Sequence, residues 1–238
     1  LSHDFTHLAS TDSTNDWLLA RAADLADGHW VIADRQTAGR GRRGRVWNDG
    51  AGNLMASVLV RAKGPVQQLS FVAALALREA LFAAGGQGSE SPAPRFSLKW
   101  PNDVLLDGIK VSGILLERVG DALIIGCGVN IASHPEGTER PATSLVAAGL
   151  PCLAPVELLG QLMPAFAAWR EVWETHGFEP VRAGWLAHAA GVGDRIAARL
   201  GAETLEGRFE GLEADGALAL RLDDGCLRAV HAGEVFAL

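Results

Sequence analysis

Between Phe96 and Ile131 the chain alternates apolar runs with tight turns: FSLKW, Pro101-Asn102, DVLL, Asp107-Gly108, KVSGILLERV, Gly120-Asp121, ALIIGCGVNI. Asp-Gly between two apolar runs is a strong hairpin signal, because both residues tolerate the left-handed backbone that a two-residue turn requires. Such a series folds into antiparallel strands whose apolar face must be covered by other elements. The flanking sequence supplies them. Phe5–Ser10, His29–Asp34 and Asn53–Val60 read as strands. Asn15–Ala26, Gln67–Ala84 and Ala154–His176 carry helical periodicity, as does a shorter run at about Glu179–His188. Asp12 or Ser13 is placed to cap the first helix, Gly85-Gly86 to close the second, and Pro164 to kink the third. Gln87–Pro94 reads as a loop.

From Gly191 the pattern changes to short β-like runs between Gly-rich turns: GDRIAARL, TLEGRFEGLEA, GALALRL and CLRAVHAGEVFAL. This predicts a small β-barrel appended to a larger body. The expected fold is α+β, a mixed and largely antiparallel sheet with flanking helices. Residues 1–189 form one domain and residues 190–238 a second.

Gly39–Arg45 reads GRGRRGR in a chain whose formal net charge is -7. Neighbouring guanidiniums about 7 Å apart repel by roughly 2 kcal/mol at a surface-like dielectric, so four in seven residues await an anion. Glycines let backbone N–H groups approach that anion, and arginines clamp it. The stretch also spells G-x-G-x-x-G, but RVWNDGAGN follows it where a dinucleotide fold needs a helix. No P-loop and no G-x-S-x-G is present. A plain solvated turn is the competing interpretation, as is a nucleic-acid contact. The acidic balance opposes nucleic-acid and anionic-membrane affinity. The apolar run FVAALAL is broken early by Arg78 and Glu79. Three cysteines without a CxxC pair fit reduced thiols in a cytoplasm.

Other polar groups each have a bland interpretation. KWPND (Lys99–Asp103) is a turn former, or else offers Asn102 and Asp103 to Mg²⁺ or a nucleotide. Lys110 is a solvent-facing strand lysine or a cation for a ligand. DSTN (Asp12–Asn15) is an N-cap and also a polar ligand site. His3 and His7 lack the Glu of H-E-x-x-H and predict no metal. The tryptophans read as core except Trp47 and Trp100, which flank the motifs.

Together, DSTN, QTAGRGRRGRVW (Gln36–Trp47), KWPNDV (Lys99–Val104), KVSGILLE (Lys110–Glu117) and GCGVNI (Gly126–Ile131) resemble the biotin–protein ligase family in order and approximate spacing. GEV (Gly233–Val235) resembles that family's C-terminal SH3-like domain, more loosely. The resemblance implies a class II synthetase-like catalytic domain. It implies that biotin and Mg²⁺-ATP form biotinyl-5′-AMP, and that biotin passes to a lysine of a biotin carboxyl carrier domain. Ser13, Thr14, Asn15 and Gln36 would bind biotin. Arg40, Gly41 and Arg42 would cover the carboxylate and phosphate as a mobile lid, with Lys110 between those two groups. Arg42, Arg45, Trp47, Asn102, Lys110 and Asn130 would serve ATP. Lys110, Arg40 and Arg42 would be catalytic, and Asp103 a metal ligand. A lipoate- or octanoate-transferring relative is the alternative. DSTN begins at Asp12, which leaves no room for the DNA-binding domain of some members, so no nucleic-acid partner is expected. Cys127 stands where an aliphatic residue is common and reads as packing. A homodimer is compatible with the family.

Overall fold

A computed structural model describes residues 5–47, 50–85, 96–139, 141–201 and 203–238. The expectations placed on His3, on the loop Gln87–Pro94 and on Gly86 lie outside the described residues.

Seven strands make the principal sheet: β1 (Phe5–Leu8), β2 (Trp30–Ala33), β3 (Leu54–Val60), β4 (Phe96–Lys99), β5 (Asp103–Leu106), β6 (Ile109–Val119) and β7 (Ala122–Val129). Their order is β1-β2-β3-β7-β6-β5-β4. Only the β1–β2 pair is parallel. The hairpin series thus forms four contiguous strands at one end of the sheet. Asp107 (φ 49°) and Gly108 (φ 80°) supply the left-handed turn between β5 and β6.

Alternate residues of a strand face opposite sides. On one side Leu54, Ala56 and Val58 of β3 and Ile125, Cys127 and Val129 of β7 join the main core. Helix α2 (Leu69–Gly85) lies on this side, backed by α3 (Pro155–His176) and α4 (Phe178–Leu186). Each fully buried Leu of α2 contributes about 1.5–3 kcal/mol. The stretch Val66–Gly85 is long and apolar enough to cross a bilayer by composition, despite Arg78 and Glu79, but 67% of it is buried within the fold. It is the core helix here. Helix α3 runs unbroken through Pro164. That proline and Gly160, whose carbonyl it frees, are both exposed, so the lost bond falls on the solvent side of the helix, where it costs least.

On the other side of the sheet sits α1 (Thr14–Leu19), packed through Leu18 on Val31, Leu59 and Ile124. It is shorter than its periodicity predicts. Beyond Leu19 most residues are exposed, and only Ala22 and Leu25 still pack on that small cluster, too little to hold further helical turns, so the chain proceeds in turns to Gly28 (φ 81°). The remainder of this second face is the floor of a cavity.

The C-terminal segment forms an antiparallel sheet of β8 (Arg195–Leu200), β9 (Glu203–Leu212), β10 (Leu218–Arg221), β11 (Leu227–Val230) and β12 (Glu234–Ala237), in the order β11-β10-β9-β8-β12. Ile196, Phe209 and Leu218 belong to the same apolar cluster as the principal core. Trp100, expected outside the core, is 3% exposed, and its Nε1 donates to Gly216 O at 3.2 Å. The small sheet is therefore docked on the larger body rather than tethered to it.

Candidate functional site

The floor of the cavity is a strip of small residues. Gly113, Gly126 and Gly128 line the cavity from neighbouring strands, with Gly113 opposite Gly128, while Ser57, opposite Gly126, is fully buried and does not line it. A Cβ on Gly126 would lie 2.5 Å from Asn15 Oδ1, and one on Gly128 2.4 Å from the Trp47 ring. Only glycine lets those two side chains reach the sheet. The cavity holds about 390 Å³, and each residue expected to bind biotin, ATP or metal or to act in catalysis borders it.

One end is polar and uncharged. Ser13 caps α1, with its hydroxyl 3.5 Å from Asp16 N. Of the two expected caps, Ser13 is the one used. Gln36 Oε1 accepts from Thr14 N (2.8 Å) and Thr14 Oγ1 (3.0 Å). Ser57 Oγ lies 2.7 Å from Thr14 Oγ1 and 2.6 Å from Asn15 Oδ1. It has one proton for two acceptors, so this end retains unused acceptor capacity suited to ligand N–H groups. Ser13, Thr14, Asn15 and Gln36 are all buried.

The other end is cationic. Lys110 Nζ sits 2.6 Å from Asp103 Oδ1 and 6.0 Å from the centre of the Trp47 ring. Arg42 Nη1 donates to Asn102 Oδ1 (3.1 Å) and lies 3.5 Å from Gly233 O. Burial lowers the Arg42 pKa from its usual value, and the charges of Asp103 and Glu234 act against that. Asn130 Nδ2 donates to Thr143 O (3.0 Å), which fixes its amide. The Trp47 indole N–H is buried without a hydrogen-bond partner. A buried orphan donor beside this strip is a place for a ligand acceptor.

The arginine loop is a closed turn. Gly41 N donates to Arg45 O (2.7 Å), Trp47 N to Gly39 O (2.9 Å), and Arg40 pairs with Val46 across a β-bridge. Arg43 takes the left-handed region (φ 57°) and is exposed. The like-charge repulsion argued from composition is offset by carboxylates distant in sequence. Arg40 is bidentate to Asp16 (2.5 and 2.6 Å) and reaches Glu117 (3.2 Å), and Arg45 pairs with Glu234. The hydrogen bonds from Arg40 hold the Asp16 carboxyl below its usual range.

Asp103, expected as a metal ligand, borders the cavity and pairs with the Lys110 ammonium. Among the described residues no group of three His, Cys, Asp or Glu side chains could hold a metal ion. A Mg²⁺ that arrives with a nucleotide needs only one or two carboxylates beside phosphate oxygens and water, a part that Asp103 on the cavity wall could fill. The sequence argument passed over four residues. Ser57 interrupts an apolar strand. Glu117 and Glu234 lie inside quoted motifs without a role, and Asp16 directly follows DSTN. Cys127, expected as packing, is buried in the main core, and its thiol is pushed up to about 12 by burial.

The biotin/lipoate A/B protein ligase family model matches residues 7–130, and the biotin protein ligase C-terminal domain matches residues 191–238. A biotin–[acetyl-CoA-carboxylase] ligase of Paracoccus denitrificans is 46% identical over 96% of this chain and 98% of its own length. A Mycobacterium tuberculosis protein of the same name is 35% identical over 96% and 86%. Among solved structures, the Aquifex aeolicus biotin protein ligase in complex with biotin and ATP superposes with a TM-score of 0.84 at 29% identity, covering 98% of this chain and 97% of that one.

Proposed function

The chain belongs to the biotin/lipoate A/B protein ligase family, and from that premise we propose how its cavity works. The protein is an ATP-dependent biotin–protein ligase. It converts biotin and ATP to biotinyl-5′-AMP and pyrophosphate, then transfers biotin to a lysine of a biotin carboxyl carrier domain.

The observation that carries this reading is the polarity of the cavity: neutral acceptors at one end, cations at the other, and a floor of glycine between them. A cyclic urea has N–H groups for Ser13, Thr14, Asn15 and Gln36, with Ser57 bracing Thr14 and Asn15 from within the fold. An aliphatic acid tail then crosses the glycine strip and brings its carboxylate to Lys110. ATP lies beyond, along Arg42, Arg45, Asn102 and Asn130, with its base near Trp47.

The first step joins two anions. A biotin carboxylate oxygen forms a bond to the α-phosphorus, and the bond from that phosphorus to the β-phosphate bridging oxygen breaks, releasing pyrophosphate. Lys110, Arg40 and Arg42 offset the charge that gathers on the reacting oxygens, which is where preorganised cations lower a barrier most. Asp103 holds the Lys110 ammonium in place until the substrate anions compete for it. Mg²⁺ enters with ATP as part of that substrate. In the second step the carrier lysine amine attacks the acyl carbon, loses a proton, and AMP leaves. The anhydride is water-sensitive, so a loop that covers it has a purpose. ATP dependence and reduced cysteines support a cytoplasmic setting.

The match at residues 191–238 to the C-terminal domain of biotin protein ligases supports biotin over lipoate. The test is pyrophosphate release from Mg-ATP with biotin, lipoate or octanoate as the acid. Release with biotin alone, and label passing to a carrier domain, is the expected result. Release with lipoate but not biotin would overturn it.

A further inference from the structure

Glu117 does not border the cavity, yet it contacts two residues that do. Its Oε2 accepts from Asn15 Nδ2 at 2.7 Å, and Oε1 lies 3.2 Å from Arg40 Nη2. A carboxylate only accepts, so it dictates which end of the Asn15 amide faces it. Nδ2 must point to Glu117, and Oδ1 must point to Ser57, whose hydroxyl donates to it at 2.6 Å. Asn15 Oδ1 also stands over Gly126, where a Cβ would come within 2.5 Å of it. The amide is thus held at three points, and Glu117 is the one that sets its polarity. If the amide turned over, an N–H would face Ser57 and the acceptor surplus at this end of the cavity would fall.

We infer that Glu117 is a positioning residue that determines ligand selectivity. It fixes the acceptor pattern of the uncharged subsite through Asn15, for a ligand offering N–H donors. The same carboxylate helps seat Arg40, so it ties the uncharged end of the cavity to the arginine loop. Of the two links, the one through Asn15 decides ligand affinity. Arg40 is also held by a bidentate bond to Asp16 at 2.5 and 2.6 Å, in which Glu117 takes no part. This inference rests on the reading of the cavity as a biotin site.

Glu117→Gln keeps the shape but lets the side-chain amide donate, so the Asn15 amide is free to turn. The KM for biotin should rise about tenfold or more, the scale of a charged hydrogen bond. The KM for ATP should change less than about threefold. In an Asn15→Ala background, where no amide is left to orient, Glu117→Gln should change the KM for biotin by less than about threefold. Calorimetry of biotin binding without ATP should show the same pattern. Should Glu117→Gln fail to fold, Glu117→Asp provides the second variant, since its shorter reach also releases the amide. A biotin KM within threefold of wild type in the folded variant overturns the inference, as does a full effect surviving in Asn15→Ala. Both results require a wild-type protein active with biotin. A wild type inactive with biotin defeats the functional reading instead.

Discussion

Lys110 Nζ and Asp103 Oδ1 stand 2.6 Å apart, with side chains 31% and 10% exposed, on the paired strands β6 and β5. The pair places one cation against the glycine strip without letting it drift. Because the lysine acts where negative charge concentrates, Lys110→Gln should lower the single-turnover rate of pyrophosphate release about a hundredfold, with a smaller effect on biotin affinity. Lys110→Arg should not rescue it fully, since a planar fork does not replace a compact ammonium. A near-normal rate in Lys110→Gln would remove the lysine from the chemical step.

The C-terminal sheet should matter to nucleotide use. Glu234, on β12, pairs with Arg45 and borders the cavity, and Arg42 approaches Gly233 O. Glu234→Ala should raise the KM for ATP by about tenfold, the scale of a charged hydrogen bond. The double variant Arg45→Ala/Glu234→Ala should be no worse than Arg45→Ala by more than about threefold. Independent, multiplying effects would show that the pair does not act as a unit.

Trypsin reads the arginine loop. Arg43 is exposed in a left-handed conformation, whereas Arg40 is held by two carboxylates. Cleavage of the native protein should start after Arg43 and release a large fragment beginning at Gly44. Biotin and Mg-ATP together should slow that cut several-fold, with Lys63 as the control site. Equal rates with and without ligands would exclude a ligand-ordered lid.

The cysteines differ by burial. Cys127 is buried with its thiol pushed up to about 12, while Cys152 and Cys226 are exposed. At pH 8 a disulfide reagent should titrate two thiols quickly and the third only after unfolding. Three fast thiols would place Cys127 outside the core.

The Asp16–Arg40 pair carries an acid signature. The Asp16 pKa is lowered in the folded chain from 3.8, chiefly by the hydrogen bonds from Arg40. Its contribution to stability is therefore present above about pH 4 and lost as the pH falls through the folded value. Asp16→Asn should lower the urea midpoint at pH 7, and the gap to wild type should shrink by pH 3. A gap independent of pH would assign the loss to packing.

The sequence alone determined what is local. Asp107-Gly108 and Gly120-Asp121 encode hairpins because their turn geometry needs no distant partner, and the periodicity of α2 follows from residues within a few turns of each other. The motif residues were legible for the same reason: glycines and arginines packed into seven positions carry a charge and a flexibility that composition reports directly. The tertiary structure decided what depends on which strands meet. Asn15 meets Glu117 across 102 residues and Arg45 meets Glu234 across 189. Neither carboxylate differs in sequence from a solvated one. That Gly126 and Gly128 face the cavity while Cys127 faces the core is set by one register of β7 against β3 and β6, and a shift of one residue would exchange them. A strand's alternation states that it has two faces, and the elements packed against it choose which of them becomes the site.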